Sequence, residues 1–333
     1  MSQQDHETSW QAATLALQYF PEISSNNLEL INVSENVTFK VSDDSGVPTH
    51  ALRVHRTGYH SLIEILSELA WISSIANDTD VSVPQVVRNA KNRYVTEVVI
   101  EEGDTRYCVA TRFVEGVELT DEDSTERFYS LGIIAAKLHL HTLQWSKPSW
   151  FVRFNWDLSD AFGTSPRWGP WSSQLDTIDR KYLDVVERSI SSSLQQYGRT
   201  KDRFGLIHAD MRLSNVIWST SNLYPTVIDF DDCGYGWFLY DLATTVSFFE
   251  HKERVPEMVA KWVKGYESVR SLSPEDKEII WPLIMFRRLL LLGWIQSHPH
   301  VPISRQLSPT FVQDTLSLAD RYNRNDLATF ATS

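Results

Sequence analysis

The stretch Leu206–Asp241, LIHADMRLSNVIWSTSNLYPTVIDFDDCGYGWFLYD, determines the fold of this chain. It contains three short apolar runs, Leu206–Ile207, Val216–Trp218 and Val227–Ile228, which are typical of buried strands. Turn-forming residues between positions 221 and 225 separate the last two runs. We therefore predict a strand–turn–strand unit whose open end brings together the polar residues before its first strand and after its second.

Polar residues stand at close, ordered spacing around these strands. The pattern His-x-Asp-x-x-x-x-Asn occupies residues 208–215, and Asp-Phe-Asp follows at residues 229–231. Phosphoryl transfer from ATP requires a carboxylate near the attacking hydroxyl and oxygen ligands for Mg²⁺, and this pattern supplies both in the order that kinases use. We predict that Asp210 is catalytic, because its carboxylate would accept or orient the proton of the hydroxyl. The predicted metal ligands are Asn215, Asp229 and Asp231.

At these positions the chain resembles the aminoglycoside phosphotransferase and choline kinase-like family of small-molecule kinases, which also includes homoserine kinase-like proteins. The matching text is IHADMRLSN at residues 207–215, VIDFDD at 227–232 and YDLA at 240–243. Ala209 and Asp231 stand where protein kinases usually carry Arg and Gly, which indicates the small-molecule branch. The resemblance therefore implies a kinase that uses ATP and Mg²⁺ as cofactors.

The resemblance also implies the fold class. We expect an α/β (α+β) protein with a two-lobed, protein kinase-like fold, in which an antiparallel N-lobe sheet plus a helix precedes a mainly helical C-lobe. The expected N-lobe spans residues 1–112 and covers the nucleotide. The expected C-lobe spans residues 113–333 and carries the catalytic loop, the metal site and the acceptor pocket.

A hairpin that would cover the nucleotide phosphates comes early in the chain. The runs LELINV and VTFKV, separated by a polar turn, predict two strands over residues 28–41. The turn has no Gly-rich sequence, but its backbone amides and the side chains of Ser34, Asn36 and Thr38 could donate hydrogen bonds to phosphate oxygens. We therefore predict that these three residues bind the nucleotide.

A cation follows on the next predicted strand, His50–His55. Arg53 stands where kinases place a lysine, and a guanidinium can bind phosphate or carboxylate oxygens in a bidentate manner. A helix is predicted over residues 59–76, and the resemblance implies that Glu68 on this helix pairs with Arg53 and positions it at the α- and β-phosphates. The alternative is that Arg53 lies on a solvated edge strand and Glu68 on the surface of the helix.

Two further predicted strands, Tyr94–Ile100 and Tyr107–Val114, complete a five-stranded antiparallel N-lobe sheet. A kinase hinge presents backbone amide and carbonyl groups to adenine at the point where the chain leaves this sheet. From topology we assign Thr111 and Phe113 as the hinge residues that bind the base.

A Trp-rich segment lies between the first helix of the C-lobe and the catalytic loop. Residues 145–171 contain five Trp and three Phe together with several Gly and Pro, which indicates an ordered, irregular insertion. Two interpretations stay open. The aromatic residues could form a wall of the acceptor pocket that receives an ammonium group, with Arg153 or Arg167 receiving a carboxylate. Alternatively, they pack the insertion onto the C-lobe.

Helical periodicity dominates the remainder of the chain. Helices are predicted over residues 130–143, 177–197, 241–251, 255–267, 274–296 and 309–323. Ser308–Pro309 predicts the start of the last helix. We expect Asp241 to support the backbone of the catalytic loop, and His139 to be a hydrogen-bonded histidine rather than a metal ligand. Arg287 and Arg288 either close the acceptor site or face solvent.

Composition and charge limit the partners of the protein. With 43 acidic and 31 basic residues, the net charge is −12 and no long basic run is present, which argues against nucleic acid. No uninterrupted apolar run approaches about 20 residues, so we expect no membrane span. Two cysteines suit a reducing compartment, and the polar first residues lack the features of a signal peptide. We expect a cytoplasmic protein whose partner is a small-molecule hydroxyl substrate.

The predicted reaction transfers the γ-phosphate of ATP to a hydroxyl of a small polar metabolite, such as an amino alcohol, a homoserine-like amino acid or an aminoglycoside. One alternative is a catalytically inactive nucleotide-binding regulator, which the missing Gly-rich loop and Arg53 would permit. The other is a metal-dependent phosphohydrolase, although that site would need several histidines and only His208 lies near the cluster. For the kinase, we expect Asp210→Asn to cost orders of magnitude in rate with little change in stability.

Overall fold

The computed structural model describes residues 3–23, 27–33, 36–101, 103–219 and 225–327. The chain divides into two compact units. The first unit comprises Met1–Val117, Ser146–Arg153 and Ile217–Asp231, and the second unit comprises Glu118–Trp145, Phe154–Val216 and Asp232–Ser333. The lobe boundary expected after residue 112 stays a prediction. Among the described helices, none combines the length and the apolar character needed to cross a membrane.

The first unit contains an antiparallel sheet. Its strands are β1 (Asn27–Val33), β2 (Val37–Ser42), β3 (Pro48–Val54), β4 (Val86–Val87), β5 (Thr96–Glu101) and β6 (Asp104–Arg112). Hydrogen bonding gives the order β1-β2-β3-β6-β4, and β5 pairs with another part of β6. The five longer strands agree with the predicted sheet, whereas β4 has only two residues and is too short to show an alternating pattern.

Alternation of side chains places a hydrophobic core on one face of this sheet. The buried hydrophobic residues of β2 and β3 are Val37, Phe39, Val41, Leu52 and Val54. The helix α1 (Gln3–Leu17) packs its alanines against the same core. Thr38 and Arg53 are directly paired in the β2–β3 register and, because side chains alternate along a strand, they point to the opposite face.

The helix α2 (Leu62–Asp78) lies over the face that carries Arg53. It begins after Ser61, whose hydroxyl accepts a hydrogen bond from the Glu64 N–H while the Glu64 carboxylate accepts one from the Ser61 N–H. This reciprocal capping box satisfies two backbone donors and fixes where the helix starts. Glu64 is used in this cap. Glu68, one turn later, is the carboxylate of α2 that contacts Arg53 on the sheet.

A second sheet has the strand order β11-β10-β7, in which β7 is Val117–Glu118, β10 is Val216–Trp218 and β11 is Thr226–Val227. Ser82 fixes the position of β11. Its carbonyl accepts a hydrogen bond from the Val227 N–H at 3.0 Å, and its hydroxyl lies 2.7 Å from the Thr226 hydroxyl. The backbone that leads into the Asp-Phe-Asp motif is therefore attached to the segment that follows α2.

The second unit is mainly helical. Its helices are α3 (Glu126–Gln144), α4 (Leu158–Phe162), α5 (Thr177–Tyr197), α6 (Tyr240–Thr245), α7 (Val255–Glu267), α8 (Pro274–Glu278), α9 (Ile280–Ser297) and α10 (Pro302–Asn323). Its strands β8 (Asn155–Trp156), β9 (Phe204–Ile207) and β12 (Gly234–Trp237) form a sheet in the order β8-β12-β9. The catalytic motif begins directly after β9.

Helices α3 and α7 cross at two glycines. A Cβ added to Gly132 would lie 1.9 Å from the Trp262 carbonyl oxygen, and a Cβ added to Gly265 would lie 1.9 Å from the Tyr129 carbonyl oxygen. No side chain fits at either position, because both obstacles are backbone atoms. The close approach holds α3, the helix that supports the catalytic loop, firmly against α7.

Three helix predictions differ from the structure. The segment predicted as one helix over residues 274–296 forms α8 and α9, which meet at Ile279. The last helix starts at Pro302 rather than at residue 309, so the predicted start is wrong and Pro309 lies inside α10. Pro302 takes the first-turn position at which a missing N–H costs nothing. The predicted helix over residues 241–251 ends earlier, at Thr245.

Candidate active site

Arg53 and Glu68 form the ion pair that the sequence predicts. The Arg53 Nη1 atom donates to Glu68 Oε1 at 2.8 Å, and the Glu68 side chain is 2% exposed whereas that of Arg53 is 21% exposed. Burial raises the pKa of Glu68, and the neighbouring Arg53 charge opposes that shift. The pair therefore holds a guanidinium at a fixed place on the sheet while part of it stays accessible. Its role in nucleotide binding stays a prediction.

Two aspartates from the Asp-Phe-Asp motif join this pair. Arg53 donates to Asp229 at 3.2 Å and to Asp231 at 3.4 Å. Phe230 between them is fully buried, and its ring meets the edge of Trp71 on α2 with 5.4 Å between ring centres. Asp229 has a φ of 62°, a left-handed conformation that aspartate adopts more readily than most residues. The buried phenylalanine thus anchors the motif and turns both carboxylates toward Arg53.

Asp231 is held by two further residues, of which the sequence did not single out His60 and suggested another role for Arg153. The His60 Nε2 atom lies 3.3 Å from its carboxylate, and the Arg153 guanidinium donates to its backbone carbonyl. Burial alone would raise the pKa of Asp231, but the neighbouring His60 and Arg53 side chains lower it well below its usual range. His55 is buried beside this carboxylate, and burial lowers its pKa to about 3, so it is neutral at pH 7.

We expect the pairing of Asp231 to affect how the stability of the protein depends on pH under acidic conditions. The pKa of Asp231 is lower in the folded state, so its ionised form stabilises the fold above the unfolded pKa of about 3.9, and this contribution is lost as the pH falls below that value. The wild type should exceed Asp231→Asn in unfolding free energy by about 1–3 kcal/mol at pH 7. Urea titrations with a metal chelator should show this gap narrowing below about pH 4. A gap that is constant down to about pH 3 would contradict the ionised, paired state.

The predicted nucleotide-binding residues of β2 differ in their surroundings. Ser34 lies outside the described residues. Asn36 is 6% exposed, and its side-chain oxygen accepts a hydrogen bond from the Arg56 N–H at 3.1 Å, so it also fixes the backbone after β3. Thr38 is directly opposite Arg53 on the neighbouring strand. The structure therefore brings Thr38, but not Asn36, to the same register position as the guanidinium.

The two predicted hinge residues lie where β6 ends. Thr111 is paired with Ala51 of β3 on one side and with Val86 of β4 on the other. The Phe113 N–H donates to the Thr49 carbonyl at 3.0 Å. The Phe113 N–H is therefore already hydrogen-bonded within the first unit. The Phe113 carbonyl takes no part in this bond. The assignment of both residues to base binding stays a prediction.

The catalytic motif of the second unit is organised by Asp241 at the start of α6. Its Oδ1 atom accepts a hydrogen bond from the Ala209 N–H at 2.7 Å, and its Oδ2 atom accepts one from the His208 N–H at 3.2 Å. His139 on α3 lies 3.0 Å from the same Oδ2. Ala209 has a φ of 65°, which is unfavourable for alanine and persists only where the surroundings enforce it. Asp241 thus supports the loop, as expected from the sequence.

Asp210 is held by three side chains. Its Oδ1 atom accepts a hydrogen bond from Arg287 at 2.7 Å. Its Oδ2 atom accepts one from Arg212 at 3.1 Å and one from the Asn215 amide at 2.9 Å. Burial would raise the pKa of Asp210, but Arg212, Arg287 and His208 lower it, so the carboxylate is ionised at neutral pH. The carboxylate is therefore able to accept a proton from a bound hydroxyl.

Asn215 is placed beside the catalytic carboxylate. It ends the short 3₁₀ helix Leu213–Asn215, is 4% exposed, and donates through Nδ2 to both the backbone and the side chain of Asp210. These bonds use the nitrogen of the amide and leave Oδ1 outside the contact. An amide oxygen is the atom of Asn that binds a hard cation, so the observed orientation suits the predicted metal ligand.

The structure divides the predicted site residues between the units. The first unit brings together Arg53, Glu68, Asp229 and Asp231, and the second unit brings together Asp210 and Asn215. Sequence reasoning left Arg287 undecided and did not single out His60. The signal for Arg287 in the sequence was two adjacent arginines inside an otherwise apolar helix. An apolar helix is expected to be buried, and buried charges require partners.

Three of the five Trp residues in the Trp-rich segment are buried, whereas Trp150 is 45% exposed. Trp156, Trp168 and Trp171 in the second unit are 1%, 6% and 5% exposed, and their burial favours the packing interpretation over an open aromatic wall. In the first unit, Arg153 is 6% exposed and also donates to the Glu64 carbonyl at 3.1 Å, so it has a structural use. Arg167 stacks on the Phe154 ring at 3.7 Å.

Comparisons with known proteins agree with this arrangement. Residues 28–276 match the sequence model of a family described as "Phosphotransferase enzyme family". Amicoumacin kinase from Bacillus subtilis (strain 168) is 23% identical over 284 residues, which are 81% of this chain and 80% of that protein. The solved structure of a microcompartment-associated aminopropanol kinase is 39% identical, with a TM-score of 0.86 over 96% of this chain and 99% of that chain. Amicoumacin kinase hAmiN, solved with AMP-PNP, Ca²⁺ and Ami, has a TM-score of 0.76 at 20% identity and covers 96% of each chain. The predicted kinase-like fold class is confirmed.

Proposed function

The chain belongs to the phosphotransferase enzyme family, and from this premise we propose that it transfers the γ-phosphate of ATP to the hydroxyl group of a small amino alcohol. The prediction of a small-molecule phosphotransferase is confirmed by the family match over residues 28–276. The observation that carries the amino-alcohol assignment is the 39% identity to an aminopropanol kinase over 96% of this chain. The net charge of −12 also suits a cationic acceptor.

The residues present fit ATP and Mg²⁺. Asp229, Asp231 and the Asn215 amide are oxygen ligands, the donor type that Mg²⁺ prefers. We propose these three residues as its ligands, as the family resemblance implies. The partly accessible Arg53 guanidinium, fixed by Glu68, is suited to bind phosphate oxygens, with Thr38 as its neighbour on β2. When bound, Mg²⁺ supplies positive charge that balances the charge developing on the transferred phosphoryl group.

Asp210 performs the proton chemistry in this proposal. Its carboxylate is ionised and held by Arg212, Arg287 and Asn215, so it can orient the acceptor hydroxyl and take its proton as the new bond to the γ-phosphorus forms and the bond to ADP breaks. Positioning accounts for most of the catalysis in phosphoryl transfer, since little covalent chemistry falls to the protein. The network around Asp210 and the brace at Asp241 supply this positioning.

Neither alternative gains support. The inactive-regulator hypothesis has none in the comparisons, in which an amicoumacin kinase and an aminopropanol kinase resemble this chain. A phosphohydrolase would need several histidines converging on metal ions. Within residues 3–23, 27–33, 36–101, 103–219 and 225–327, no three His, Cys, Asp or Glu side chains form such a group.

We further propose that the enzyme acts in the cytoplasm on a small-molecule substrate.

Thermal melting tests the nucleotide and metal site. We expect AMP-PNP with Mg²⁺ to raise Tm by several degrees at about 100 times Kd, which corresponds to about 2.7 kcal/mol, and each ligand alone to raise it much less. Asp229→Ala should abolish the extra shift. Asp44→Ala, on an exposed turn of the same unit, is the matched control and should keep it. A shift that survives in Asp229→Ala would count against this aspartate as a metal ligand.

An acceptor series tests the substrate class. Aminopropanol, homoserine and an aminoglycoside should be compared with propane-1,2-diol, which has the hydroxyl of aminopropanol but no amine. We expect kcat/KM for aminopropanol to exceed that for the diol by at least about 10²-fold, because a site built for an ammonium group loses that interaction with the diol. Equal values for the two compounds, or a clear preference for homoserine or the aminoglycoside, would overturn the amino-alcohol assignment.

A further inference from the structure

Helix α9 carries two buried arginines. The helix is apolar on all sides, yet Arg287 and Arg288 within it are only 2% and 0% exposed. A guanidinium in such a place is tolerated only when its charge and its N–H groups have partners. The two residues are neighbours in sequence, and their partners differ, so the pair provides an internal comparison.

Arg288 is paired within the helical framework. Its Nη1 atom donates to Glu250 at 2.6 Å, and both side chains are fully buried. Its Nε atom donates to the Thr315 hydroxyl at 2.8 Å, and its Nη2 atom donates to the Phe311 carbonyl at 3.1 Å. None of these partners belongs to the catalytic motif. Arg288 therefore joins α9 to α10 and to the segment that precedes α7.

Arg287 instead reaches the catalytic motif. Its Nη2 atom donates to Asp210 Oδ1 at 2.7 Å, its Nε atom to the Ser247 hydroxyl at 3.0 Å, and its Nη1 atom to the Tyr240 hydroxyl at 3.2 Å. The Trp168 ring centre lies 5.3 Å from the guanidinium carbon. Every nitrogen of the group has a partner, and a planar group held at three nitrogens has a single orientation.

A count of acceptor positions shows which oxygen of Asp210 can receive the substrate. A carboxylate offers about four lone-pair directions, two on each oxygen. Arg212 and Asn215 both donate to Oδ2, whereas Arg287 is the one donor to Oδ1 among the residues that the structure describes. The remaining direction is therefore on Oδ1, the atom that Arg287 holds.

We propose that Arg287 is a positioning residue for phosphoryl transfer: by binding Oδ1 of Asp210, it fixes the direction of the lone pair that meets the acceptor hydroxyl. This inference rests on the proposed function, because it concerns the proton transfer assigned to Asp210. A lysine at position 287 would keep the positive charge but would lose the planar fork and its anchors at Ser247 and Tyr240. The carboxylate would then turn more freely, and the transition state would suffer more than the binding of ATP.

Matched variants of the two arginines test the proposal in the full-length chain. The rate of a single turnover is measured with saturating ATP, Mg²⁺ and aminopropanol, so that product release does not mask chemistry. We expect Arg287→Lys to lower this rate about 10-fold and Arg287→Met about 10²-fold, with KM for ATP changed by less than about twofold. Arg288→Lys should lower Tm but leave the rate per folded molecule unchanged.

A further variant covers the case in which Arg287→Met does not fold. Tyr240→Phe removes one anchor of Arg287 without changing any charge, and it should lower the single-turnover rate about threefold with KM for ATP again unaffected. A wild-type rate in Arg287→Lys, or equal losses per folded molecule in Arg287→Lys and Arg288→Lys, would overturn the positioning role. Failure of the wild type to phosphorylate any hydroxyl acceptor would overturn the proposed function, and this role with it.

Discussion

Replacement of Asp210 by Asn is expected to lower kcat by about 10²–10⁴-fold and the free energy of unfolding by roughly 1–3 kcal/mol. The loss in rate follows because an amide cannot accept the proton of the acceptor hydroxyl. The loss in stability follows from Arg287, which is 2% exposed and donates to Asp210 at 2.7 Å. With asparagine as its partner, this guanidinium stays buried without the carboxylate that balances its charge.

Kinetics and urea unfolding of the same preparations measure both effects. Glu253→Gln, which removes an exposed carboxylate of the second unit, is the control and should change neither quantity. The double variant Asp210→Asn/Arg287→Met should be less destabilised than the sum of the single variants, because it removes both members of the buried pair. A kcat within about tenfold of the wild type would refute the catalytic assignment. Unchanged stability would refute the role of Asp210 as the counter-charge of Arg287.

The expected loss in stability reverses what the sequence alone indicated for Asp210→Asn. Within the catalytic motif, spacing predicts the chemistry because the interacting residues are close along the chain: Asp210 and Asn215 are five residues apart and bond directly. Arg287 is 77 residues from Asp210, and no local pattern connects them. A tertiary contact of this kind depends on how α9 packs, which hydrophobic periodicity alone does not specify.

In the first unit, too, local sequence patterns do not predict contacts between residues that are far apart along the chain. Alternation of polar and apolar residues predicts the strand that carries Arg53. The pairing of Arg53 with Glu68 was predicted from the family resemblance, which supplies the geometry that links this strand to the following helix. His60 reaches Asp231 across 171 residues of chain, from the turn before α2. Histidine at a turn carries no pattern that distinguishes a surface residue from a buried partner of a carboxylate.

The start of the last helix was predicted wrongly for a different reason. Ser308–Pro309 has the features of a helix start, and so does Pro302, because proline is favoured in the first turn wherever that turn falls. The structure uses Pro302 and places Pro309 inside α10. Two competing start signals within one segment cannot be ranked by local preference, since tertiary packing decides between them.

Replacement of Asp241 by Asn is expected to destabilise the protein by roughly 3 kcal/mol and to lower kcat by about 10²-fold, although Asp241 is assigned no contact with substrate. Its two oxygens accept hydrogen bonds from the backbone N–H groups of Ala209 and His208, and His139 also contacts Oδ2. Asparagine keeps one acceptor oxygen and turns an NH₂ group toward a neighbouring N–H. One buried backbone donor is then left without an acceptor.

The loss in rate follows because the hydrogen bonds of Asp241 hold the backbone next to Asp210 in place. Ala209 is buried with a φ of 65°, an unfavourable conformation for alanine, and it immediately precedes Asp210. When its N–H loses Asp241, the peptide can relax and carry the catalytic carboxylate out of position. Ala209→Gly, which tolerates positive φ, should change stability by less than about 1 kcal/mol in the wild type. The same change in Asp241→Asn should not restore the rate, because glycine removes the strain but not the missing acceptor. Recovery of wild-type kcat in that double variant would show that strain, rather than the hydrogen bonds of Asp241, limits the rate.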